Sequence, residues 1–372
     1  MILGIDPSTY FEVLASGAKF SSGGLPVDPL KLLKKQGVSE LRIRVWKNPY
    51  GPKGEPYLGG TCDYGNYRKL AQLGQSLGYQ IVLDPHFSDF WCDPGKQTLP
   101  KGWEKLSESA LLAKLKEYCE TLFAESRADG IIPSYIQLGN EITNGLLWPY
   151  GKLGEGSPRK NYDKLATILK TIAAAARDKL PESKLIIHLE RSGDNVIYRE
   201  FFDQMERLHV PFDVIGMSYY PYWHGTMEAF LHNLDDVKQR YKKPIMIMET
   251  GYGFTMEDYL RLPDGKSELV VNPEFVKGMP SPLPYPLSPA GQKSFLSGLL
   301  KTAEEHGAVG VFYWEPFWIP GPGVSWSSTE GLAYIGENGK PTRNEWANQC
   351  LFDYEGRALP ALSVFRTPKG GK

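Results

Sequence analysis

Ser134-Tyr-Ile-Gln-Leu-Gly-Asn-Glu141 and Pro244-Ile-Met-Ile-Met-Glu249 are short, mostly apolar stretches that each end in a glutamate. Both have the length and composition of β-strands. A carboxylate placed where such a strand stops is informative, because parallel α/β barrels keep their chemistry at the carboxyl ends of their strands. Glu141 and Glu249 are therefore the first candidates for reacting groups.

Outward from these two stretches the same unit repeats. Short apolar runs alternate with longer amphipathic segments, the pattern of successive βα units around a parallel sheet. The spacing predicts eight strands, at 2–5, 40–45, 80–83, 134–141, 184–188, 212–217, 244–249 and 310–314. Predicted helices include one that opens at Asp28-Pro29, others at about 66–77, 107–128, 162–179, 226–241 and 290–305, and a short closing helix near 345–351. Leu111, Leu115, Leu122 and Phe123 recur at helical spacing and read as core. Residues 251–289 form a long Pro-rich irregular segment, of the kind that in compact domains is functional or disordered. Eight strands with seven intervening helices predict a single (β/α)8 TIM barrel domain over 1–372. The alternative is an open doubly wound sheet, but no Gly-x-Gly-x-x-Gly follows the first strand and no Gly-x-x-x-x-Gly-Lys-Ser/Thr occurs, so a nucleotide cradle has no support.

Composition narrows the partners. Forty-two basic against 43 acidic residues leave a formal charge of −1, which offers no general field for nucleic acid or anionic lipid. No apolar run approaches the roughly 20 residues that span a bilayer. Cys62, Cys92, Cys119 and Cys350 lack zinc-site spacing and are too few for a disulfide scaffold. Met1 leads directly into strand-like sequence with no basic or long apolar leader. Either the protein stays inside the cell or the chain begins at the mature end with an added Met. The second, with a secreted, cell-surface or periplasmic location and a monomer, is the expectation.

The strand ends share one chemical character. They carry carboxylates (Glu141, Glu190, Glu249), Asn140, His86 and Arg44, and the aromatics Trp46, Trp91, Tyr219, Tyr220 and Trp314. A closed barrel would bring these to one cleft. Glycosidic hydrolysis needs one protonated acid for the leaving oxygen and a second carboxylate for the anomeric carbon, about 5–5.5 Å apart in a retaining enzyme. Glu141 and Glu249 fit those roles, and Asn140 is placed to donate to a sugar 2-hydroxyl. Arg44 is expected to hold Glu249 ionised, although a structural ion pair is the alternative. His86 reads as a hydrogen-bonding residue toward sugar or carboxylate, since His-x-His and His-Glu-x-x-His are absent and metal ligation has little support. Asp89, in the same stretch, is expected to bind substrate. Tyr219 and Tyr220 are adjacent on an extended segment, so one of them faces the cleft. Of Trp91, Trp314 and Trp318, two are expected against sugar and the remainder in rim packing.

Taken together, Leu41-Arg-Ile-Arg-Val-Trp46, Asp84-Pro-His-Phe-Ser-Asp-Phe-Trp91 with Asp93-Pro-Gly-Lys-Gln97, Gly139-Asn-Glu-Ile-Thr-Asn-Gly-Leu-Leu-Trp-Pro149, Ser218-Tyr-Tyr-Pro-Tyr-Trp-His-Gly225, Glu249-Thr-Gly and Tyr313-Trp-Glu-Pro316 resemble glycoside hydrolase family 53, the endo-β-1,4-galactanases. The resemblance runs along nearly the whole chain in order. It implies a retaining endo-hydrolase of β-1,4-galactan, the side chain of type I arabinogalactan, with Glu141 as acid/base and Glu249 as nucleophile. It also implies Arg44, His86, Asn140 and Tyr219 or Tyr220 in the cleft, and Trp91 and Trp314 as sugar platforms. Pro85 and Leu189-Glu-Arg-Ser-Gly193 depart from the family pattern and bear on subsites rather than the reaction. Bacterial relatives often bind calcium after the seventh strand. Here Glu257, Asp258 and Asp264 lack the spacing of such a set, so no cofactor is expected. Two rivals remain: a retaining barrel glycosidase for mannan, xylan or β-glucan, and a non-catalytic galactan-binding protein. The latter calls for a missing carboxylate, and both are present.

Overall fold

The computed structural model describes residues 1–260 and 267–366. Eight parallel strands close into a barrel: β1 (Ile2–Asp6), β2 (Glu40–Val45), β3 (Gln80–Pro85), β4 (Tyr135–Gln137), β5 (Lys184–Leu189), β6 (Val214–Ser218), β7 (Ile245–Thr250) and β8 (Gly310–Trp314). Neighbours pair in sequence order, and β1 closes the ring by pairing with both β2 and β8. The expected TIM barrel is the observed architecture, and the open sheet is excluded by that closure.

Seven helices connect the strands: α1 (Pro29–Lys35), α2 (Tyr64–Ser76), α3 (Glu108–Ala128), α4 (Tyr162–Lys179), α5 (Asn195–Arg207), α6 (Met227–Tyr241) and α7 (Pro289–Glu305). Their starts are chemically specified. Asp28 accepts from Lys31 N at 2.9 Å, Ser107 from Ala110 N at 3.3 Å and Thr226 from Ala229 N at 3.2 Å, each satisfying an amide that the first turn leaves unpaired. Short helices at Tyr10–Ala15, Pro273–Lys277 and Thr329–Tyr334 were not anticipated; at five or six residues they lack a readable period. The expected closing helix is one 3-10 turn, Ala347–Gln349. The described residues of the segment after β7 are otherwise irregular, as its prolines suggest.

Strand alternation divides the residues between two environments. Leu41, Ile43, Ile187, Ile215, Ile245 and Ile247 pack outward with the helices. Val82, Ile186, Val214, Met246, Met248 and Phe312 form a separate apolar cluster inside the barrel. The interior is thus a packed plug. Gly4 is part of that fit, because a Cβ there would stand 2.2 Å from the Phe312 ring.

Gly4→Ala is expected to destabilise the barrel by roughly 1–3 kcal/mol through overpacking, read from the urea midpoint. Phe312→Leu in the same chain should recover part of the loss, whereas additive losses would show that the two sites are not in contact.

Candidate active site

Above the apolar plug the inward positions become polar. Asp6, Arg42, Arg44, Asp84, Gln137, His188, Ser218 and Glu249 occupy the carboxyl ends of the strands, all nearly shielded from solvent. A buried charge needs partners, and Arg42 supplies most of them. Its Nε donates to Gln137 Oε1 at 2.6 Å and its Nη2 to Asp84 and Asn140 at 2.8 Å each. Its Nη1 donates to Asp6 at 2.8 Å and lies 2.9 Å from Glu249 Oε1.

Local backbone irregularity aims the two glutamates. Glu141 sits in the left-handed region at φ 48°, just after Gly139 at φ 103°. This sharp turn off β4 leans the Glu141 side chain over the barrel mouth. Glu249 reaches the cleft by a different route. Met246 and Met248 point inward, so strict alternation would turn Glu249 outward. The pairing register of β7 shifts against both neighbours near this residue, and such an irregularity re-aims a side chain.

The two carboxylates meet across the mouth. One oxygen of each lies within 4.8 Å of the other and of a His188 nitrogen, the one such trio of possible metal ligands among the described residues. Their surroundings differ. Ser218 Oγ is 2.6 Å from Glu141 Oε1, while Glu249 has Arg42 on one oxygen and the Tyr220 hydroxyl, donating at 3.1 Å, on the other. Burial, then the Glu249 charge, pushes the Glu141 carboxyl well above its usual range. Burial also raises Glu249, but Arg42 and Tyr220 oppose it. Of the pair, Glu249 gives up its proton first.

The cleft around them encloses about 520 Å³ and includes Arg44, His86, Trp91, Asn140, Tyr220 and Trp314 among its walls. His86 accepts at Nδ1 from Trp46 Nε1 at 3.3 Å and from Cys92 N at 3.1 Å, with Nε2 toward Asp84 at 3.2 Å. Asn140 donates to Cys92 O at 3.0 Å. Trp91 stacks on Trp326 with centroids 4.4 Å apart and planes 2° from parallel.

Two expectations need correction, for Arg44 and Asp89, and two open choices, among the tyrosines and the tryptophans, are decided. Arg44 does not hold Glu249: it pairs with Glu315 at 2.5 Å and Asp6 at 3.4 Å, and its guanidinium lies 4.4 Å from the Trp91 ring centroid. Arg42, two residues earlier on the same face of β2, has that role. Tyr219 faces the helices, stacked on Phe230 at 4.4 Å, so Tyr220 is the cleft tyrosine. Asp89 is fully buried outside the cleft, accepting from Lys101 N at 2.7 Å. Trp318 is fully buried behind Trp91 and Trp314. Arg42, Gln137, His188 and Ser218 were not singled out. Alternation in Leu41-Arg-Ile-Arg-Val45 and Ile186-Ile-His188 would have put Arg42 and His188 inside the barrel. Of the residues considered for calcium, Asp264 lies outside the described residues. Asp258 is occupied by Leu260 N, Ser267 Oγ and Glu268 N.

With this geometry in view, the family comparison is decisive. The model for glycosyl hydrolase family 53 matches residues 2–365. The chain belongs to that family. It is 31% identical to an endo-beta-1,4-galactanase of Bacillus subtilis, covering 100% of this chain and 86% of that one. An arabinogalactan endo-beta-1,4-galactanase of Cellvibrio japonicus is 30% identical over 98% of this chain and 90% of the relative. The family 53 catalytic domain of Ignisphaera aggregans superposes with a TM-score of 0.85 at 36% identity, covering 98% and 95% of the two chains. The protein is a glycoside hydrolase.

Arg42→Lys is expected to raise the pKa of Glu249, because the guanidinium lowers it, and Arg44→Lys is expected to leave it in place. Titration of δ-13C-labelled glutamates followed by NMR measures both. A shift in Arg44→Lys with none in Arg42→Lys would return the role to Arg44.

Proposed function

We propose that this enzyme hydrolyses internal β-1,4-galactosidic bonds of galactan and type I arabinogalactan with retention of anomeric configuration. The observation that carries the chemistry is the asymmetric pair: Glu141 and Glu249 approach within 4.8 Å, one against a serine hydroxyl and the other against Arg42. The separation suits a double displacement, since an inverting pair needs about 6.5–9.5 Å to admit water. The names of the Bacillus and Cellvibrio relatives support galactan as substrate.

In the first step a Glu249 oxygen bonds to the anomeric carbon as the glycosidic C–O bond breaks. The leaving oxygen takes the electron pair and the proton of Glu141. In the second, Glu141 accepts a proton from water as that water displaces Glu249. Burial and the Glu249 charge keep Glu141 protonated for the first step. Once Glu249 is esterified that charge disappears, the Glu141 pKa falls, and Glu141 stays ionised after giving up its proton, ready to accept one from water. Tyr220 and Asn140 stand where they can bond sugar hydroxyls, and Trp314 is the ring left to meet sugar C–H surfaces, since Trp91 is held between Trp326 and the Arg44 guanidinium.

The reaction as drawn needs only the two carboxylates, and we infer that it proceeds without a metal. Among the described residues no helix is long and apolar enough to cross a membrane, which accords with an enzyme meeting a polysaccharide in water.

Incubation with potato-type galactan should release short galacto-oligosaccharides, with little activity on mannan, xylan or β-glucan. NMR of the earliest products should show the β-anomer, and α-anomer would overturn retention. Glu141→Gln should lose at least about 100-fold on galactan, and Glu249→Gln should lose turnover altogether. EDTA should leave activity unchanged; loss restored by calcium would overturn the metal-independent reading.

A further inference from the structure

Behind Glu141 runs a buried chain of hydrogen-bonding groups that the double displacement does not itself call for. Ser218 Oγ lies 2.6 Å from Glu141 Oε1 and 2.8 Å from His188 Nε2. On the far side of the imidazole, Nδ1 is 3.1 Å from Gln137 Nε2 and 3.1 Å from Asn140 Oδ1. Both amides are fixed by other bonds. Asn140 Oδ1 accepts from Arg42 while its Nδ2 donates to Cys92 O. Gln137 Oε1 accepts from Arg42 while its Nε2 donates to Asp84 at 2.7 Å. The ring nitrogen therefore meets one donor and one acceptor at equal distance, and either neutral tautomer finds a partner there.

Burial, then the positive charge of Arg42, keeps the His188 ring neutral, with Asp84 opposing and His86 and His224 adding to the effect. It then carries a single N–H. If the hydrogen is on Nε2, the imidazole donates to Ser218 Oγ, the hydroxyl is turned to donate to Glu141 Oε1, and Nδ1 accepts from Gln137. If it is on Nδ1, the hydroxyl turns to Nε2. Glu141 Oε1 then faces an oxygen lone pair, which is favourable only if Oε1 itself carries the acid proton. A proton there is pointed into the protein. Glu141 Oε2 has no hydrogen-bond partner among the described residues and is the oxygen left for the substrate in the cleft.

We propose that His188 and Ser218 are positioning residues that keep Oε1 of Glu141 as an acceptor and so confine its acidic proton to Oε2, where the leaving oxygen can take it. This rests on Glu141 being the acid/base. The same hydroxyl supports the carboxylate left behind, since an O–H donor stabilises the ionised form. The charged and titratable groups that also face Glu141 are Glu249 from β7, Glu190 from the end of β5, Asp93 from the loop after β3, and Tyr198 and Tyr220 from α5 and the end of β6. The three carboxylates raise the Glu141 pKa, and Ser218 lowers it. Removing the hydroxyl therefore moves the alkaline limb of the pH profile upward.

The test compares potato-type galactan with 2,4-dinitrophenyl β-galactobioside, whose leaving group departs without a proton. kcat/KM reports the first step for both. Ser218→Ala should lower kcat/KM on galactan about 10- to 100-fold, the value of a hydrogen bond to a charged group, while sparing the aryl substrate, and should shift the alkaline limb on galactan to higher pH. His188→Leu should reproduce this pattern. His188→Gln, which returns an N–H at the position of Nε2, should restore most of the galactan rate. Equal losses on both substrates, or an unmoved alkaline limb in Ser218→Ala, would overturn the proposal. Glu141→Gln separates the two levels of inference. If it too fails to spare the aryl substrate, the acid assignment falls and the positioning role with it. If it spares the aryl substrate and Ser218→Ala does not, only the positioning role falls.

Discussion

The mouth of this barrel is built around one buried cation. Arg42 is fixed on the inner face of β2, and its three nitrogens reach Gln137, Asp6, Glu249, Asp84 and Asn140, groups from four other strands or their ends. A guanidinium presents five N–H donors in a rigid plane, so it can satisfy such a ring where lysine cannot. Each partner is held by the same group, and the relative positions of β1, β2, β3, β4 and β7 at this level follow from its shape. The nucleophile candidate, Glu249, is thus part of the structural network as well as of the chemistry.

The network is not charge-balanced. Arg42 and Arg44 face Asp6, Asp84, Glu249 and Glu315, so full ionisation would leave uncompensated negative charge out of water. The cost falls unevenly. Although burial opposes it, Arg42 with His86 holds Asp84 down to about 2. Burial pushes Glu315 up to about 7, with Arg44 pulling the other way. A site that is short of positive charge favours keeping one proton among its carboxylates, and Glu141, without an arginine, is where that proton rests. The acid is therefore defined by what it lacks. Arg44, displaced from the role its sequence position suggested, underlies the aromatic wall through Trp91 and Glu315.

Much of this was legible in the chain. The eight strands with the helices between them, the cap at Asp28, and the two glutamates at strand ends all follow from local composition and period. So did the opposed faces of Tyr219 and Tyr220, because adjacent residues in extended chain must diverge. What escaped notice lay one layer deeper. Arg42 and His188 sit inside strands, where a polar residue among Leu, Ile and Val is easily passed over, yet alternation already marked them as interior. Asp89 and Trp318 misled for the opposite reason. Flanked by polar, Pro and aromatic residues, they resembled exposed loop positions, and burial under neighbouring loops is not encoded locally.

The sequence by itself determined which residues could react and on which strands they stand, because strand period and strand termini are local properties of the chain. Only the tertiary structure decided how those residues divide the work. Closure of the barrel brings strands far apart in sequence within hydrogen-bond distance, and the shifted register of β7 turns Glu249 inward against its own alternation. Whether a given arginine meets Glu249 or Glu315 depends on its height along β2 relative to β7 and β8. That height is set by the packing of the whole barrel.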